Sequence, residues 1–218
     1  MTRGANLRFI LAAVLSAGPL AARAQALPLD GWQNFYVIVG SSAAALTGLT
    51  FIVITLVADA NSGSQAPATR LLGLRAFITP TTVHFVSALW LSALLTVPGQ
   101  TVDSLALCLG VTGVVGIVYC ARVIHWMFQT RPVYKIFVSD WIWCAALPLL
   151  AHLSLLTATL LLAKNPRASL YAVAGTTLLL LFIGIHNAWD VVAWITTGRH
   201  AHREQQRGAD PPNEPSDR

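Results

Sequence analysis

Residues 170–197 read LYAVAGTTLLLLFIGIHNAWDVVAWITT. This stretch is almost wholly apolar and longer than the ~20 helical residues a bilayer crossing needs; apart from four threonines, its polar interruptions are His186, Asn187 and Asp190. His186 and Asp190, four apart, share one face of a helix, with Asn187 beside them. Polar groups inside a membrane span are costly unless they find partners or face water. The stretch therefore argues both for a membrane-spanning helix and for a reason to keep polar residues in it.

The rest of the chain follows that lead. Of 218 residues, 55% are hydrophobic and 11% charged, with a mean hydropathy of +0.62. A soluble helical bundle needs polar faces on its helices, and the long apolar runs here have almost none. The fold class expected is an all-α integral membrane protein, a bundle of five transmembrane helices preceded by a cleaved signal peptide. The net charge of +5 does not point to nucleic acid, because the basic residues sit in short segments between apolar runs, where they act as topology signals. Cys108, Cys120 and Cys144 lie inside apolar runs with no CxxC spacing, so neither a disulfide framework nor a thiolate zinc site is indicated. No nucleotide-binding loop, no soluble domain and no distinct Ser/His/Asp set appears, so the reading leans away from an enzyme.

In chain order, residues 1–26 read as the signal. Arg3 and Arg8 form its basic start, Phe9 to Ala22 its apolar core broken by Gly18-Pro19, and Ala22-Arg23-Ala24 or Ala24-Gln25-Ala26 its cleavage site. An uncleaved first helix is the competing reading. The membrane domain, residues 27–198, holds spans at about 34–58, 76–97, 104–121, 141–162 and 170–197. In the first span Gly40, Ala44 and Gly48 form a stripe of small residues that lets another helix approach; a pore lined by Ser41, Thr47 and Thr50 is the alternative. Gly113 and Gly116 suggest close packing of the third span. Turns are expected at Asp59 to Thr69, at Val97-Pro98-Gly99-Gln100 and at Lys164-Asn165-Pro166-Arg167. Residues 199–218 are expected to be a disordered cytoplasmic tail.

Orientation follows from the basic residues. A cleaved signal puts the mature amino terminus outside the cytoplasm, and five spans leave the carboxyl terminus inside. The inner segments then hold Arg70, Arg75, Arg122, Arg131, Lys135, Arg199, Arg203, Arg207 and Arg218, and the outer loops only Lys164 and Arg167, in keeping with the positive-inside rule. The localisation expected is the inner membrane of a bacterial-type cell.

His84, His152 and His186 lie on three different spans, at similar depth when measured from the inner ends of those spans. Pro80 precedes His84, and Pro148 precedes His152, by four residues; each proline frees a carbonyl and bends its helix. The function expected first is the binding of a metal ion or haem b, with transport and assembly as alternatives. Imidazoles suit a transition metal or a bis-His haem b, with His84, His152 and His186 as ligands and Asp190, Asn187 and His125 as orienting or relay groups. The same residues suit a proton or ion path in a transport subunit. The small-residue faces suit a non-catalytic assembly subunit, a homo-oligomer or a complex with partner membrane helices. For any single histidine, a hydrogen bond to a neighbouring helix is the simpler use.

Overall fold

The computed structural model describes residues 29–60, 67–130 and 138–209; the side chains of 56–60, 67–79 and 194–209, and of Asp30, Ile54, Thr130 and Val191, are outside the description. The signal peptide expected at 1–26 lies outside the described residues.

After a 3-10 turn at Asp30–Trp32 come five long helical elements: α1 (Gln33–Ala60), α2 (Pro67–Thr96), α3 (Val102–Thr130), α4 (Val138–Leu161) and α5 (Pro166–Ala209). Among the described residues, segments of α1, α3, α4 and α5 are long and apolar enough to cross a membrane: Gln33–Val53, Val102–Gln129, Val138–Leu161 and Pro166–Asp190. In α2 the apolar part of the described helix is shorter, Pro80–Thr96. The described residues thus form an all-helical bundle with four candidate membrane spans and a fifth long helix packed among them.

Several hydroxyls in these helices are paired locally, whereas those of Tyr36, Ser92 and Ser169 are buried without a partner. Thr47 donates to the carbonyl of Ala43, Thr50 to Leu46 and Thr177 to Val173, each at 2.8 Å. A hydroxyl left bare in an apolar setting is costly, and the carbonyl one turn back is its nearest acceptor.

Two turns lie at one end of the bundle, called here the turn end. Gly99 takes φ 69°, a conformation glycine adopts without Cβ strain. Thr101 then caps α3: its Oγ1 accepts from the Ser104 N–H at 3.2 Å, while the Thr101 N–H donates to Ser104 Oγ at 3.1 Å, a reciprocal box with serine in the usual glutamate position. Asn165 caps α5 by accepting from the Ala168 N–H at 3.2 Å, with Pro166 at the first helical position where its missing donor costs nothing.

The packing order differs from the chain order. α1 lies on α2, α2 on α5, α5 on α4, and α4 on α3, while α2 and α3, although joined by the turn at 97–101, touch at few points. α5 is consequently the central helix, with Leu170, Val173, Thr177, Leu180 and Ile183 fully buried. It also outruns the expected span: residues 199–209, read from sequence as unstructured tail, are helical. Ala201, Arg203, Glu204, Gln205, Gln206 and Arg207 are all good helix formers, and the first proline comes at Pro211. Likewise α3 runs nine residues past the expected end at 121, to Thr130.

Candidate functional site

The polar residues of the spans fall into two groups at different depths. His84 lies about 18 Å along the axis from the end of α2 at Thr96, and His152 about 14 Å from the end of α4 at Leu161. Measured from the turn end, the two stand at similar heights in the bundle. His186 lies about 30 Å from the start of α5 at Pro166, at the far edge. The similar depth expected for all three came from placing the inner ends of the spans without fixed reference; measured from the turn end, where the helices start together, His186 stands apart.

The mid-bundle group is built on α2, α3 and α4. His152 is 2% exposed, and its Nδ1–H donates to the carbonyl of Pro148 at 2.8 Å. A carbonyl only accepts, so this bond places the ring proton on Nδ1 and leaves Nε2 with its lone pair. The ring lies directly on Gly116 of α3: a Cβ there would fall on the imidazole at its Cδ2–Nε2 edge. The Cys120 Sγ, one turn further along α3, is 3.9 Å from Nδ1. His84 is 1% exposed, and its Nδ1 has no hydrogen-bond partner. Its ring meets Tyr119 of α3 edge-on, with centroids 6.4 Å apart. Both rings thus lie against one stretch of α3, His84 at Tyr119 and His152 at Gly116 and Cys120.

The second group sits at the far edge, on α4 and α5. The His186 ring stacks on Trp143, with centroids 3.7 Å apart and planes 27° from parallel. Asp190 Oδ2 approaches His186 Nε2 to 3.3 Å, but off the line of a hydrogen bond, so Nε2 is buried without a bonded partner. Their side chains are 29% and 54% exposed, so the pair has access to the surroundings. Asn187 is buried, with its Nδ2 unpartnered. Trp143 precedes His152 by about 14 Å of helix, which measures how far His186 is from the mid-bundle histidines.

Trp143 belongs to a π-helical turn, Ile142–Ala146, in which the Leu147 N–H bonds back to the Ile142 carbonyl. Pro148 explains it. Its ring would press on the Cys144 carbonyl in a regular α-helix, and a widened turn relieves that pressure.

His125, expected as a weaker member, is exposed and accepts from the Gln129 side-chain amide at 3.1 Å; it joins neither group. Of the packing residues, Gly40 faces Ser92 of α2, where a Cβ would stand 2.9 Å from the serine Cβ, and Gly113 faces Leu156 of α4, with a Cβ 2.6 Å from Cδ2. Ala44 and Gly48 are exposed, with nothing within 4 Å of a Cβ at Gly48. Among the described residues no three His, Cys, Asp or Glu side chains gather to hold a metal ion. Tyr119, Cys120 and Trp143 were not singled out from sequence; an aromatic or thiol one turn from a span histidine or glycine was the available signal. No protein-family model, curated protein or solved structure matches the chain.

Proposed function

We propose that this chain is a small inner-membrane subunit that relays protons, or a small ion, along its histidines. His186 and Asp190 form the mouth, and His84 and His152 the mid-membrane station. The reading is carried by one observation: two buried imidazoles packed against the same stretch of α3, His84 on Tyr119 and His152 on Gly116 and Cys120, with a partly exposed His–Asp pair toward the other end of the bundle. Imidazole takes up and releases protons near neutral pH, and buried charges in a span are retained chiefly where protons or ions pass. The unpartnered Asn187 amide stands at the mouth, between His186 and Asp190 in the chain. In this reading residues 1–26 are a cleaved signal, the second helix is a fifth span, the turn end faces out and the mouth faces the cytoplasm.

In liposomes with an imposed potassium gradient and valinomycin, the protein should carry protons at least about tenfold faster than protein-free vesicles, and Asp190→Asn should slow this by about tenfold, equivalent to about 1.4 kcal/mol of barrier. Flux equal to that of empty liposomes, or unchanged in Asp190→Asn, overturns the reading.

Haem b held between His84 and His152 is the second reading, favoured by the partnerless Nδ1 of His84. It requires a Soret band that disappears in His84→Ala; protein purified from haem-supplemented cells without that band excludes it.

A further inference from the structure

We infer that Trp143 is the positioning residue of the mouth: its indole fixes the plane of the His186 imidazole and keeps Nε2 turned to Asp190, a role that rests on the relay reading and names the residue that holds its outer pair in alignment.

The pair does not hold itself. His186 and Asp190 stand one helical turn apart on α5, and Oδ2 lies 3.3 Å from Nε2, yet Nε2 has no hydrogen-bond partner. The χ2 torsion of a histidine is broad and roughly two-fold, so without a bond at Nε2 the carboxylate gives the ring no fixed orientation. The Asp190 side chain is itself 54% exposed and free to swing.

The restraint comes from the neighbouring helix. Trp143 of α4, partly buried, lays its ring on the face of the imidazole, with centroids 3.7 Å apart and planes 27° from parallel. At that separation the two flat rings are in van der Waals contact. A quarter turn of the imidazole about χ2 would drive its edge into the indole, so the motion that carries Nε2 away from Asp190 is barred. A flexible apolar side chain at 143 would fill the same space and yield to that motion. Flatness, not bulk, is the property the position calls for.

The consequence falls on one step. A proton moves between Asp190 Oδ2 and the Nε2 lone pair, with neutral acid and neutral imidazole on one side and carboxylate and imidazolium on the other. Such a transfer needs donor and acceptor within hydrogen-bond reach and aligned. Trp143 touches no proton and acts only through the ring it holds.

The test compares full-length wild type, Trp143→Leu, Trp143→Phe and Asp190→Asn in the liposome flux assay, and labels the same chains with 13C,15N-histidine in lipid nanodiscs. The signals lost in His186→Gln identify the ring. Trp143→Leu should slow proton flux by about fivefold and lower the order parameter of the His186 ring. Trp143→Phe, which keeps a flat face, should retain about half of the flux or more and the ring order. Trp143→Leu/Asp190→Asn should be no slower than Asp190→Asn alone, because both act on one step. Wild-type flux equal to that of empty liposomes overturns the relay reading, and the ring order then decides alone whether Trp143 positions His186. Where wild type carries protons, unchanged flux in Trp143→Leu, Trp143→Phe as slow as Trp143→Leu, or an additive loss in the double variant overturns the inference; a packing role alone would lower thermal stability and leave flux and ring order as they were. Where Trp143→Leu does not fold, Trp143→Met, apolar and flexible, takes its place with the same expected outcomes.

Discussion

Alanine in place of Gly116 lowers the stability of the bundle by about 3 kcal/mol or more. The added methyl group would occupy the position of the His152 ring, and the ring has little freedom to leave. Its Nδ1–H is bonded to the Pro148 carbonyl, it is 2% exposed, and α4 is packed against α3 along this contact. Either the helices separate or the ring turns out and leaves a buried donor without its acceptor. Thermal unfolding in detergent is the measurement, and the double variant Gly116→Ala/His152→Ala supplies the control. Removing the ring should return most of the lost stability, a coupling that a simple helix-propensity effect does not produce; propensity alone would favour alanine by about 1 kcal/mol. Gly116→Ala as stable as wild type would mean that His152 does not sit on α3.

Leucine in place of Gly184 is the second large effect. A Cβ there stands 2.5 Å from Phe85 Cε1 and 2.6 Å from Cδ1, and Phe85 is fully buried at the contact of α2 with α5. Overpacking of this kind costs about 1–3 kcal/mol, and leucine carries three carbons beyond the clashing one, so the upper end is expected. Unfolding in mixed SDS micelles reads it, and Phe85→Leu in the same chain should restore part of the loss. An unchanged unfolding curve would remove Gly184 from the crossing. Because Phe85 adjoins His84, the same substitution should also disturb the mid-membrane group, which the His84 15N signal reports.

Much of this architecture is legible in the residues. Apolar runs locate the helices, Val97-Pro98-Gly99-Gln100 and Lys164-Asn165-Pro166-Arg167 mark the turn end, and Gly40, Gly113 and Gly116 stand at close approaches between helices. Their partners are not legible. Nothing local in α2 says that it packs on α5 rather than along α3, since long apolar faces are interchangeable until all five helices compete for them. Helix ends away from the turns are equally hidden, because Arg, Glu, Gln and Ala continue a helix as readily outside a membrane as inside; that is why α5 overruns and why His186 is misjudged in depth. The repeated Pro-x-x-x-His spacing also divides. In α4 it creates a bond from the imidazole to the proline carbonyl, whereas in α2 His84 Nδ1 is left bare. The same four-residue step gives one committed ring and one available ring, a difference made by the neighbours.

The wide turn ahead of Pro148 has a geometric consequence for the two groups of polar residues. In an uninterrupted α-helix, nine residues amount to two and a half revolutions, so Trp143 and His152 would project in opposite directions, and one would be turned away from the other's neighbours. The extra residue in the turn takes back about 100° of that rotation, leaving roughly a quarter circle between them. That is the angle at which one helix can address two adjoining partners, α5 with the indole and α3 with the imidazole. A single residue of phase thus couples the compass bearing of the mouth to that of the mid-membrane station.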